Sequence, residues 1–263
     1  MRATARLAAE ARPDGTTRLA TLADQVPLLL RQTATDDEPG TAHVHLVGGA
    51  AGPLGGDELN LDLHLGPGAT VRISSVAASL ALPGPRGGES TLDISVRIDS
   101  GASLIWTPEP LIAAQGARHR TSVNIKMAQD ARLTWHEQTL LGRHGEEPGS
   151  AITRLRVRRA GRPLLDHTLA VGPDHPGSLG PAVAGTERAS ATILIVDPVC
   201  AHVALEPRDG PRGTIAALAM TEHATVISAL APDGLALRRL LQDVVDPARQ
   251  PSSRSRGTTS SAN

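Results

Sequence analysis

Three short loops hold the side chains with the clearest chemical potential. The first, Gly48-Gly49-Ala50-Ala51-Gly52-Pro53-Leu54-Gly55-Gly56-Asp57, is glycine-rich and ends on a carboxylate. It lacks the Gly-Lys-Ser/Thr ending of a phosphate loop, and a strand pattern follows Asp57, so no helix N-terminus is available to hold phosphate. Asp57 fits either a turn acceptor for backbone N–H groups or a polar functional position. The second loop, Trp106-Thr107-Pro108-Glu109-Pro110-Leu111-Ile112, brackets an acid between two prolines that keep the backbone extended. Glu109 has no acid–base partner near it in sequence, so surface recognition or a salt bridge is its simplest use. The third, Leu141-Gly142-Arg143-His144-Gly145-Glu146-Glu147, sets Arg143 beside Glu146, after a segment carrying His136 and Glu137. A turn-stabilising ion pair and a contact or ion-handling loop both fit it.

The remaining reactive side chains are dispersed. His43 and His45 share one strand face, a weak metal hint, and neither His136-Glu137 nor His144 with Glu146 has the His-Glu-x-x-His spacing of a zinc hydrolase. Cys200 is the single cysteine; it allows no intrachain disulfide and reads as an inert buried thiol between Val199 and Ala201. No Gly-x-Ser-x-Gly elbow is present. An enzymatic alternative, a metal-dependent hydrolase or an isomerase using Asp57, His136 or Glu146, requires a fold that gathers those groups into one pocket.

The elements that position these loops are strands. Leu59, Leu61, Leu63 and Leu65 alternate with Asn60, Asp62 and His64; Leu92, Ile94, Val96 and Ile98 alternate with Asp93, Ser95, Arg97 and Asp99. Val123, Ile125 and Met127, then Leu133 and Trp135, then Leu155 and Val157 continue the pattern. Later strands at Thr192–Val196, Cys200–Leu205, Thr214–Met220 and Thr225–Leu230 are more apolar. Turns are marked by Gly66-Pro67-Gly68, Asp99-Ser100-Gly101, Asp130 and Arg159-Ala160-Gly161. Leu82–Glu89 and Val171–Gly185 read as irregular connections. Helix is sparse: Ala20–Arg31 is either a short helix interrupted by Pro27 or an extended segment, and Leu235–Val245 has apolar residues at helical spacing. The expected fold is all-β dominated, an elongated stack of antiparallel and mixed strands with one or two short helices.

Composition narrows the functions. The 263 residues contain no Phe or Tyr and just two tryptophans, so the core must rest on Leu, Val, Ile and Ala. With 26 basic and 27 acidic residues the formal net charge is −1, which gives no field to gather nucleic acid or anionic lipid. No stretch reaches the roughly 18 apolar residues of a membrane helix, and the start lacks a signal core, so a cytoplasmic location is expected. Residues 1–246 are expected to form one β-rich domain. Residues 247–263, with Arg249, Arg254 and Arg256 among Ser and Thr, read as a disordered tail.

The three loops, in their order and spacing, resemble the urease accessory protein family called UreD or UreH. Arg12-Pro13-Asp14-Gly15, Leu65-Gly66-Pro67-Gly68-Ala69, Asp130-Ala131, Arg158-Arg159-Ala160-Gly161-Arg162-Pro163-Leu164 and Pro232-Asp233-Gly234-Leu235 add to the likeness, which covers roughly residues 5 to 245. The resemblance implies a non-catalytic, strand-rich β-helical body without a tightly bound cofactor. It implies three partners: the urease apoprotein, the helical accessory protein UreF and, through UreF, the nickel-carrying GTPase UreG. Nickel would pass through or along this assembly. Asp57, Asp130 and Glu146 match acidic positions of the family and are candidates for a transient nickel route, since oxygen ligands hold Ni²⁺ without trapping it. Trp106, Glu109, Arg143, Leu235, Arg238 and Leu241 are partner-contact candidates. The chain departs from the family at Ser75–Pro83: a Thr-rich segment with a Thr-Lys-Val-Tyr-like core is replaced by Ser75-Val76-Ala77-Ala78-Ser79-Leu80-Ala81-Leu82-Pro83, which bears on a wall of the family's internal passage.

Overall fold

The computed structural model describes residues 1–33, 38–181, 183–199 and 206–245; Cys200, the expected strand Cys200–Leu205 and the tail at 247–263 lie outside them. In chain order the first strands are β1 (Arg2–Ala11), β2 (Thr17–Ala23), β3 (Leu28–Thr33), β4 (Ala42–Gly48), β5 (Glu58–Leu65), β6 (Thr70–Ser75), β7 (Ser79–Ala81), β8 (Ser90–Ile98) and β9 (Ser103–Thr107). They continue as β10 (Leu111–Ala113), β11 (Arg118–Met127), β12 (Arg132–Leu141), β13 (Ser150–Arg159) and β14 (Arg162–Val171). After these come β15 (Ala189–Val196), β16 (Arg208–Gly210), β17 (Gly213–Thr221), β18 (Ala224–Ala231) and the helix α1 (Gly234–Val245).

The strands form a seven-stranded sheet, ordered β14-β13-β11-β8-β5-β1-β2, and an eleven-stranded sheet whose main path is β16-β17-β18-β15-β12-β9-β6-β4-β3. From β4 to β13 the long strands alternate between the two sheets, and from β5 onward each pairs in parallel with the strand laid down one coil earlier. The result is a solenoid-like stack. Antiparallel strands flank it: β2 and β14 on the first sheet, β3 and the β15-β18-β17-β16 set on the second.

Parallel in-register pairing turns each sequence alternation into a ladder. Successive side chains of a strand point to opposite faces, so one row holds the same face in every coil. One buried row of the first sheet is Ala5, Leu61, Ile94, Val123 and Leu155. It faces buried rows of the second sheet, among them Val71, Leu104, Leu133 and Val196. Small aliphatics suffice for this core because every row repeats them. The same register sets Trp106 beside Trp135, and the rings stack at 4.7 Å between centroids with an interplanar angle of 7°.

The segment Ala20–Arg31 is extended, forming the end of β2 and the start of β3 on either side of Pro27. The helix begins at Gly234, where Asp233 Oδ1 accepts the Ala236 N–H at 2.8 Å as an N-cap. Its Leu237, Leu240 and Leu241 pack on Ile193, Ile215 and Ile227, the face of the second sheet opposite the solenoid interior. Because Leu61 sits in a complete ladder, Leu61→Ala should cost about 2–5 kcal/mol in chemical denaturation. The half-exposed Leu22, mutated likewise, should change stability by no more than about 0.5 kcal/mol.

Candidate functional site

The largest irregularity in the ladders is a break in the eleven-stranded sheet. β9 follows β12 as far as the Trp106–Trp135 pair, and β10 rejoins β12 at Leu111–Thr139. Between them lie Pro108, Glu109 and Pro110. Neither proline has an N–H to give to the ladder, so this stretch cannot continue the pairing. Opposite His136, Glu137 and Gln138 the β12 edge is left open on that side.

A cavity of about 380 Å³ occupies this break and the space behind it. Trp135, Glu137 and Thr139 line it from the inner face of β12, and His136 and Gln138 from the outer face, so the cavity crosses the plane of the sheet. From the seven-stranded sheet come Leu92, Ile94, His119, Thr121, Val123 and Thr153. The rest of the wall comes from residues 27, 28, 46–48, 50–53, 59, 75–80 and 82 with Trp106, Pro108, Glu109 and Leu111. Most of the segment Ser75–Pro83 therefore builds cavity wall.

The polar groups inside are uncharged or easily made so. Glu137 is half-buried and lines the cavity. Burial pushes its pKa up to about 7, against the opposing hydrogen bond that Trp135 Nε1 donates to Oε1 at 3.2 Å. His119 lies with Nδ1 2.8 Å from Ser90 Oγ and Nε2 3.1 Å from Thr121 Oγ1; burial drives its pKa down to about 4, with Glu89 pulling weakly the other way. His136 is lowered to about 4 by burial first and by Arg72 second, and its buried Nε2 has no hydrogen-bond partner among the described residues. Such an orphan is uncommon in a folded interior. At neutral pH both imidazoles are uncharged, the form in which a ring nitrogen can ligate a metal.

The residues singled out from sequence fall elsewhere. Asp57 is almost wholly buried; Oδ1 accepts the Met1 amine at 2.7 Å and Oδ2 accepts the Leu54 N–H at 2.9 Å, so the carboxylate closes its own turn. The glycines before it permit a close loop contact: a Cβ on Gly84 would lie 2.1 Å from the Gly55 carbonyl oxygen. Asp130 sits in an exposed turn, where the Ser100 hydroxyl donates to it at 2.7 Å and holds its pKa down. Glu146 accepts from Arg143 Nε at 2.9 Å, from its guanidinium NH₂ at 2.8 Å and from its backbone N–H at 2.9 Å. That pairing holds its pKa down to about 2. Arg143 itself covers much of the carboxylate while standing 57% exposed, so the pair is a surface turn clamp, not a buried ion pair.

The three acids thus occupy separate turns, and among the described residues no group of three or more His, Cys, Asp or Glu is placed to hold a metal ion. Asp57, His136 and Glu146 are not gathered into the pocket that the enzymatic alternative requires. Of the contact candidates, Trp106 and Leu241 are buried, whereas Leu235 is 58% exposed. Glu109 lines the cavity, accepts from Arg238 at 3.0 Å and donates its N–H to Ser75 Oγ at 2.8 Å, tying α1 to the edge of the break. His119, Thr121, Thr139 and Thr153 were not singled out from sequence. Their signal is a polar residue at an inward position: His119 and Thr121 precede Val123, Ile125 and Met127, and Thr153 precedes Leu155 and Val157.

Comparison with known proteins is consistent over nearly the whole chain. Residues 1–259 match the family model described as UreD urease accessory protein. The urease accessory protein UreD of Frankia alni is 38% identical over 279 residues, covering 94% of this chain and 93% of that protein. Its counterpart in Streptomyces avermitilis is 40% identical over 247 residues, covering 93% of this chain and 96% of that protein. A UreD of Streptomyces coelicolor is 39% identical over 242 residues, with 92% and 94% covered.

The raised pKa of Glu137 has a definite sign. Below its unfolded value of 4.5 both states are protonated and burial costs nothing; as pH climbs from 4.5 to about 7 the unfolded chain ionises first, so stability falls. Glu137→Gln should remove this loss, gaining roughly 2–4 kcal/mol relative to the parent between pH 5 and pH 8 in urea titrations. The buried histidines act in the opposite direction. The unfolded chain binds their protons between pH 6.5 and about 4 while the folded chain resists, so acidification through that window should destabilise the protein.

Proposed function

The chain belongs to the UreD family of urease accessory proteins, and from that premise we propose that it is a non-catalytic scaffold which links the urease apoprotein to a UreF-type helical protein and assists nickel transfer. A UreG-type GTPase is engaged through the UreF-type partner. No cofactor is held tightly, and residues 1–246 act as one domain in this reading. The observation that carries it is the cavity that crosses the broken sheet: it offers a metal ion a way between two sides of the second sheet. Along it, the Glu137 carboxyl and the hydroxyls of Thr121, Thr139 and Thr153 are separate donors. Separate donors suit passage, because a closed set of three or four would retain the ion.

Asp57, Asp130 and Glu146 are proposed as acidic stations on this route, outside the cavity in their turns. The burial of Asp57 and the engagement of Glu146 by Arg143 mean that each would act by exchanging a present partner for the ion. Glu109, Arg143, Leu235 and Arg238 are proposed as contacts. Trp106 and Leu241 support these surfaces from within: one backs the cavity, the other holds α1 on the sheet. No helix among the described residues is long and apolar enough to cross a membrane.

Reconstitution separates these claims. Apourease, nickel, bicarbonate and the other accessory proteins should give markedly less active urease without this chain than with it; equal activation would contradict the scaffold role. Thr153→Phe, which narrows the cavity, should lower activation about tenfold or more while leaving co-purification with the partners unchanged. Mass spectrometry of co-purified proteins that found neither urease subunits nor the helical partner would favour a β-rich binding module for some other protein.

A further inference from the structure

The solvent face of the seven-stranded sheet divides its charges unevenly. At the β1–β5 end each arginine meets a carboxylate on the next strand: Arg2 with Glu58 at 2.9 Å and Arg6 with Asp62 at 3.5 Å. Arg97 and His64 share Asp99, both at 2.9 Å. At the β11–β13 end this compensation stops. The register sets Arg97, Lys126 and Arg158 side by side in one exposed row, about 4.8 Å from strand to strand. Like charges directly opposite each other destabilise a sheet, so this row works against the fold that displays it.

Among the described residues no cation of that corner forms a direct ion pair with a carboxylate, although Arg156 acts on Asp166 and Arg159 on Asp130 through space. The side chains of Lys126 and Arg162 make no hydrogen bond or ion pair with any described residue. Arg158 donates to the Gly161 carbonyl and Arg159 to the Gln129 carbonyl. Arg156 faces Asp166 across the β13–β14 ladder, but Arg154 holds both oxygens of that carboxylate, at 3.0 and 2.9 Å. Asp130, the acid felt by Arg159, is bound by Ser100 in a neighbouring turn. The chain as a whole has a net charge of −1, so the corner is a local segregation of charge and not part of a generally cationic protein.

We propose that the corner formed by Lys126, Arg156, Arg158, Arg159 and Arg162 is a docking surface for a carboxylate-rich segment of a protein partner. A planar guanidinium matches a carboxylate bidentately, and the strands hold these groups at fixed spacing before the partner arrives. Nucleic acid fits less well. The chain's two tryptophans, Trp106 and Trp135, are buried in the interior and it has no Phe or Tyr, so this face lacks the large aromatic platforms on which single-stranded bases stack. The proposal is independent of the cavity and of any nickel route.

The test uses the full chain and a fluorescently labelled deca-glutamate peptide, read by anisotropy at low and high salt. The parent should bind, with affinity falling as salt rises. The K126E/R156E/R158E variant should bind at least about tenfold more weakly. A control with the same charge change placed elsewhere, R86E/R118E/R212E, should bind like the parent, and circular dichroism should show all three chains folded. Equal weakening by both triple variants would overturn the proposal, as would absence of parent binding at low salt. Tighter binding of a duplex DNA than of the peptide at equal ionic strength would overturn it in favour of nucleic acid.

Discussion

In-register parallel pairing between successive coils is the constraint on which this molecule depends. It obliges each inward position to be tolerated by its neighbours above and below, not merely by its own strand. Where the row is Ala5, Leu61, Ile94, Val123 and Leu155, the requirement produces a continuous dry core from modest side chains. Where the row brings Trp106 to Trp135, it yields a flat aromatic stack. Where Thr121 meets Thr153, the ladder turns polar and the two sheets no longer close on each other. Core and cavity are two outcomes of one rule.

The cavity is placed by a second, local constraint. Pro108 and Pro110 cannot donate to the ladder, and the break they cause leaves three residues of β12 without a β9 or β10 partner. Side chains of both faces of β12 then reach one space. Another part of the wall is the segment from Ser75 to Leu82, where Ser75, Ala77, Ala78 and Ser79 alternate with the larger Val76, Leu80 and Leu82. The tie from Arg238 to Glu109 anchors the final helix at the rim, so the end of the described chain and the cavity mouth are mechanically joined.

Much of the fold was legible in sequence because alternation of period two survives wherever one face is dry. Leu59 to Leu65 and Leu92 to Ile98 announce their strands and their inner faces directly. The segment Ala20–Arg31 was ambiguous because its apolar residues suit a helical face as well as two short strands about Pro27. Which strands pair was not legible: nothing in Leu61 or Ile94 alone says that they are neighbours across a coil. The site was harder. Asp57, Asp130 and Glu146 stood out as acids in distinctive loops, yet such loops are distinctive partly because their carboxylates hold turns together. His119, Thr121 and Thr153 looked unremarkable one by one, and gain meaning once parallel register stacks them beside one another. Likewise Arg154, Arg156 and Arg158 read as the wet side of a strand until Lys126 and Arg97 are set alongside.

The proposed nickel route crosses the second sheet at the break between β9 and β10. The most direct measurement is anomalous diffraction at the nickel edge from crystals of the protein bound to its urease and UreF-type partners, soaked with Ni²⁺. The account predicts anomalous density inside the cavity, beside Glu137 and His136. Density confined to the outer surface of the complex, with the cavity empty in an otherwise nickel-loaded crystal, would contradict it.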